Sequence, residues 1–341
     1  MRKTTLQVTV TAAVLLANSW ASADRDKSKA SADKFPSAVA SNWFEQLYDV
    51  VKDERTTPPA ASRIYGITAV ALYESIVVGT KRNQSLAGQL NGLTSVPQPQ
   101  KNEKHHWPTV ANAVFANTIR GLYPTISQRS QNAINNLEQS FASQQQIVVS
   151  RRKYERSIAH GQAVAEAVLE WANSGGFLIH NNCPYVPIPV PGAWKPTPPL
   201  FNPSPLQPCW GLLRPMVLSS GEECGPPGHP PFSTDTASDF YSASVEVYNT
   251  NRSLTDEQKR IADYWSDAAG ATGTPAGHWF AILSQIARSD DLSLTEAAEA
   301  YARVGIAVHD AFIVSWSTKY AYNLLRPVTY INPESVTDTL S

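Results

Sequence analysis

In Lys319-Tyr-Ala-Tyr-Asn-Leu-Leu-Arg326-Pro327, two cations stand seven positions apart just ahead of a proline. Seven residues of α-helix rise about 10.5 Å and return to within about 20° of the same face, so this spacing predicts that Lys319 and Arg326 point the same way. Such a pair suits a tetrahedral or bipyramidal oxyanion, with Arg as a planar fork and Lys as a mobile point charge. The run from Ala300 to Thr318 contains no proline and reads as one long helix. Pro327 is expected to end it, because proline cannot donate and its ring clashes with the preceding turn. Arg326 would then sit at the negative end of the helix dipole, so anion binding must come from the side chains. The competing reading of the spacing alone is a surface helix with two solvated basic residues.

Other groups able to do chemistry are scattered. His105-His106-Trp107 lacks a carboxylate or a third His at metal-ligand spacing. His160 and His309 fall on helical stretches, where a hydrogen-bonded polar residue at a bundle face is the expectation. Pro227-Gly-His229 reads as a turn, and His278 as a helix-start residue with a structural hydrogen bond. Asp310, nine positions before Lys319, is expected to pair with a cation inside the bundle. Glu222-Glu223 and Asp290-Asp291 are adjacent pairs and so do not share a helix face. The chain has no Gly-x-Ser-x-Gly elbow and no glycine-rich phosphate loop.

The elements that must position these residues read as helices throughout. Apolar stripes predict helices over 37–54, from Pro58-Pro59 to Gly79, from Pro108, over 127–141, and over 149–173 up to Gly175-Gly176. Ala61, Gly66, Ala69 and Ala71 would let another helix approach the second of these closely. Most of the 25 prolines then fall in residues 183–231, which excludes helix and ordinary sheet there. Trp194, Phe201, Trp210, Leu212 and Leu213 can anchor this stretch, so it reads as a long ordered excursion over the bundle; a disordered linker is the alternative. Helices resume with Ser233-Thr-Asp235 as a cap for a helix to about Tyr248. Others follow from Thr255 to Gly270, from Thr274-Pro275, and from Thr295 with Glu296 in the first turn. No period-two pattern persists, and the fold class is all-α.

The 341 residues are 42% hydrophobic and 17% charged, with a formal net charge of −1, enough for a sizeable core and poor in the basic patches of a nucleic-acid binder. Arg2 and Lys3, an apolar-leaning stretch from Leu6 to Ala17, and Ala21-Ser-Ala23 read as a signal peptide over 1–23, leaving 24–341 as an exported helical domain without a stable membrane anchor. The localisation expected is secreted or periplasmic. The competing transmembrane reading fails on length. Cys183, Cys209 and Cys224 allow one disulfide of three possible pairings and one odd thiol, and their spacing lacks the Cys-x-x-Cys element of a zinc site.

Asp310 to Ile331, with its Lys319, Arg326 and Pro327, closely resembles the first active-site motif of the vanadium-dependent haloperoxidases, which share a helical fold and oxyanion site with the type 2 phosphatidic acid phosphatases. Trp194-Lys-Pro-Thr-Pro-Pro199, Pro208-Cys-Trp-Gly211, Arg214-Pro215, Ile261-Ala-Asp-Tyr-Trp265 and Thr274-Pro-Ala-Gly-His-Trp279 look like landmarks of the secreted bacterial branch, in the family order. His278 is one of those landmarks. The resemblance implies a helical bundle holding vanadate non-covalently, with hydrogen peroxide and halide as small-molecule substrates, or a phosphate ester in the phosphatase relatives. Lys319 and Arg326 would be the cofactor-binding residues. The family's second and third motifs, which carry the acid–base His and the vanadium-ligating His, are not found: residues 328–341 contain no His, Arg or Lys. Those catalytic and metal-ligating histidines are therefore expected beyond Ser341, and this stretch of chain is expected to be inactive or nearly so. The alternatives are an acid phosphatase of the same superfamily and a non-catalytic remnant. Oligomeric state is not readable.

Overall fold

The computed structural model describes residues 31–100 and 103–331; the signal-peptide reading of 1–23 lies outside them. Among the described residues the helices are α1 (Ala38–Asp53), α2 (Pro58–Val77), α3 (Trp107–Leu122), α4 (Gln128–Val148), α5 (Arg151–Asn173), the single turn α6 (Phe177–His180), α7 (Asp239–Arg252), α8 (Asp256–Tyr264), α9 (Thr274–Ser289), α10 (Leu294–Tyr322) and the short α11 (Pro327–Ile331). Extended pairing is limited to isolated bridges among these residues. No described helix is long and apolar enough to cross a membrane.

α2 lies at the centre because, Arg63 and Glu74 aside, its sequence is largely apolar or small; from Ala61 to Val77 each of its residues is buried. α10 runs along it, and the small residues decide how close the two come. A Cβ on Gly66 would stand 2.9 Å from the Gly305 carbonyl oxygen, and one on Gly305 would stand 2.9 Å from the Ala69 Cβ. α3 and α5 meet in the same way at Gly161, where a Cβ would lie 2.6 Å from the Val110 carbonyl oxygen and 2.9 Å from the Ala113 Cβ. Because backbone on a packed helix cannot swing aside, Gly161→Ala is expected to lower stability by about 2 kcal/mol, the overpacking strain outweighing the roughly 1 kcal/mol that Ala gains in helix propensity. Chemical denaturation measures this; an unchanged or raised midpoint would show that the helices separate freely.

Several helix ends differ from the sequence reading, each for a local reason. α10 starts one residue before Thr295, because Ser293 caps it, in a capping box with Glu296. α7 begins at Asp239, capped by Ser238, while Asp235 instead turns the chain by accepting from the Ala237 amide at 2.9 Å. α8 stops at Tyr264 rather than near Gly270, and α4 continues to Val148 rather than ending near Phe141. The proline-rich excursion is ordered and seated on the bundle. Trp210 and Leu213 pack against Ile313 of α10, whereas Leu212 and Phe201 face solvent. Its disulfide is Cys183–Cys209, which leaves Cys224 free and exposed.

Candidate oxyanion site

At 29 residues, α10 spans about 43 Å and its last turns run past α2 into the excursion. Pro327 does not end it. Asn323 does, by adopting the left-handed conformation (φ 45°) while its amide closes the last turn onto the Lys319 carbonyl at 2.9 Å. Residues 323–325 then leave the helix axis and pair with the excursion: the Trp194 amide donates to the Asn323 carbonyl and the Leu325 amide to the Gly192 carbonyl, both at 2.8 Å. The Tyr185 hydroxyl donates to the Asn323 side-chain oxygen at 2.8 Å. Pro327 opens α11 instead, in the position where its missing N–H costs nothing.

The expectation that Lys319 and Arg326 share one helical face is therefore wrong, and so is the placement of Arg326 at a helix C-terminus. Arg326 lies outside α10 and directly precedes α11. Arg326 nevertheless stays within electrostatic reach of Lys319. Both residues are exposed at the surface, and partial burial of the Lys319 ammonium, then the Arg326 charge, hold it below its ordinary pKa. Lys319 lies over the Trp316 ring (4.7 Å to the centroid), and Arg326 donates to the Thr197 hydroxyl at 3.2 Å. Trp316 and Tyr320 both donate to the Leu206 carbonyl, at 3.0 and 2.7 Å. Burial, then the neighbouring Tyr185, pushes the Tyr320 phenol up to about 12. Neither Lys319 nor Arg326 makes an ion pair with a carboxylate among the described residues. Two cations within electrostatic reach of each other, with a hydroxyl beside Arg326 and no acid to neutralise them, suit an oxyanion and repel a cation.

The remaining candidates sit elsewhere. Asp310 does not pair with Lys or Arg. Its carboxylate accepts from the backbone amides of Met216, Val217 and Leu218 at 2.6, 2.8 and 3.1 Å, and from His309 Nδ1 at 3.0 Å. Burial would raise its pKa, but the bonds from His309 and the amides together hold it below the usual range. His278 is fixed between Asp267, 2.7 Å from Nδ1, and the Tyr264 hydroxyl, 3.2 Å from Nε2, and stacks on Trp265. His229 lies in an exposed turn against Tyr322. His105 and His160 are buried beside each other, their rings tilted by 55° with centres 5.3 Å apart. Sequence reasoning passed over Thr197 and Asn323. An Asn four residues ahead of a proline was the available signal, since Asn adopts the left-handed helix end readily.

With that geometry in place, the comparisons are specific. Residues 299–338 match the family model described as the VCPO second helical-bundle domain. A crystal structure described as the first bacterial vanadium-dependent iodoperoxidase superposes with a TM-score of 0.79 at 28% identity, covering 90% of this chain and 75% of that one. Both matches support the vanadium haloperoxidase superfamily for this chain. No curated protein matches it. Against the vanadium haloperoxidase fold, the match beginning at residue 299 places Lys319 and Arg326 inside the segment that the family model covers.

Proposed function

We propose that Lys319 and Arg326 form the cationic part of a vanadate site, and that the chain is a vanadium haloperoxidase-like protein. The observation that carries the reading is two cations without acidic partners, Lys319 and Arg326, within the segment matched by the family model, with the Thr197 hydroxyl bonded to Arg326. The donor set fits the group. Lys319 and Arg326 would neutralise oxyanion charge, Thr197 would hold the guanidinium, and the Trp316 and Tyr320 rings would shield the ammonium from water. Bound vanadate would supply the chemistry by which hydrogen peroxide oxidises halide. Phosphate fits the same donors, so a phosphoesterase of the superfamily is the second reading. Residues 328–341 add no His, Arg or Lys, so these 341 residues alone should turn over neither substrate above background. The signal-peptide reading adds export from the cytoplasm to the proposal.

Vanadate and phosphate titrations followed by thermal melting test the binding. Saturable stabilisation is expected, and Lys319→Gln or Arg326→Gln should weaken it about 10- to 100-fold, the worth of one charged hydrogen bond. Stabilisation by neither anion would sink the reading. Halogenation of monochlorodimedone against hydrolysis of p-nitrophenyl phosphate then separates the two activities in any longer form of the protein.

A further inference from the structure

Two arginines away from the oxyanion site have no acidic partner. Arg63, on α2, is 5% exposed, and burial alone pushes its guanidinium down to about 10. It donates to the Ala172 carbonyl at 3.1 Å and the Asn173 side-chain oxygen at 3.4 Å, and lies over the Phe177 ring at 4.1 Å. Arg214, from the excursion, donates to the Trp171 carbonyl at 2.7 Å and the Ser174 hydroxyl at 3.1 Å. No carboxylate among the described residues lies within ion-pair distance of either.

Both guanidinium groups therefore sit at the carbonyl end of α5. That end carries only about half an elementary negative charge, against two positive ones. Each guanidinium has five N–H donors, and these bonds use a minority of them. Leaving a buried charge uncompensated costs several kcal/mol.

Arg63, Arg214 and His309 border one small, partly open pocket, with Trp171, Leu213 and Met216 among its other walls. Its volume is about 20 Å³. A single water occupies about 10–15 Å³, so the space suits a small, compact ion better than a tetrahedral oxyanion such as vanadate, phosphate or sulfate. The third polar wall is His309, whose Nδ1 is committed to Asp310.

We propose that the cavity between Arg63, Arg214 and His309 binds one monatomic anion, a chloride in ordinary buffers and another halide by exchange. The anion locks α2, the end of α5 and the Arg214–Met216 segment of the excursion into one unit. This site is separate from Lys319 and Arg326 and stands whether or not those residues bind vanadate.

Crystals of the full chain soaked in iodide should show an anomalous peak in contact with the Arg63 guanidinium. In solution, chloride or bromide should raise the melting temperature saturably, where sulfate at matched ionic strength does not. Arg214→Gln, half-exposed and able to keep its bond to the Trp171 carbonyl, should weaken that halide response about tenfold; Lys319→Gln should leave it intact. A water without anomalous signal in the cavity would overturn the proposal, as would a halide response that Arg214→Gln leaves unchanged. If the response disappears in Lys319→Gln instead, the halide effect belongs to the oxyanion site and the cavity assignment is wrong.

Discussion

Replacing Asp310 by Ala is expected to destabilise the protein by about 3–5 kcal/mol and to release the excursion from the bundle. The carboxylate is 5% exposed and gathers three consecutive backbone amides, Met216 to Leu218, together with His309. Removing it strands amides that have lost their water and leaves a buried imidazole without its partner, which is far more costly than the bonds themselves are worth. Asp310→Asn keeps one acceptor oxygen of similar shape and should cost less than half as much. Chemical denaturation gives the energies, and limited proteolysis locates the damage. New cleavage between residues 183 and 231 under native conditions is the expected signature in Asp310→Ala. An Ala variant as stable and as protease-resistant as the parent would mean that the excursion is held by its disulfide and Trp210 alone.

Acid should weaken the fold through His160. Burial, reinforced by His105 beside it, holds the His160 imidazole at about 4, against an ordinary value of 6.5. The unfolded chain binds the proton more readily than the folded one, so the stabilisation is fully present above pH 6.5 and is lost as pH falls toward about 4. The difference corresponds to about 3 kcal/mol. His105 is depressed as well, first by burial and then by Arg156, which adds to the loss in the same direction. A denaturation series between pH 7 and pH 4 should show this slope, and His160→Asn should flatten it. An equal slope in that variant would place the acid sensitivity in other groups.

The Asp310 centre bears on the candidate oxyanion site through one shared element. α10 carries His309 and Asp310 in its middle and Lys319 in its last turn. Loosening the Met216–Leu218 contact would free the excursion that also presents Gly192, Trp194 and Thr197 to residues 323–326. The Cys183–Cys209 disulfide closes the loop containing those segments, so the far wall of the site is held covalently as well as by hydrogen bonds.

The sequence by itself determined the all-helical class, because apolar periodicity and proline placement are local properties that tertiary packing here does not override. It also determined that α2 would be approached closely, since Gly66 and Ala69 leave no other use for that face. It singled out Lys319 and Arg326, and the motif around them, as the chemistry-bearing pair. Only the tertiary structure decided where the two cations stand relative to α10. Whether α10 continues to Arg326 or breaks at Asn323 depends on Gly192, Trp194 and Tyr185, some 130 residues away in sequence and invisible to any local rule. The same holds for Asp310, whose partners are amides of the excursion rather than a nearby cation, and for the two arginines at the end of α5. A charge announces itself in sequence, but what neutralises it is fixed by the packing of distant segments.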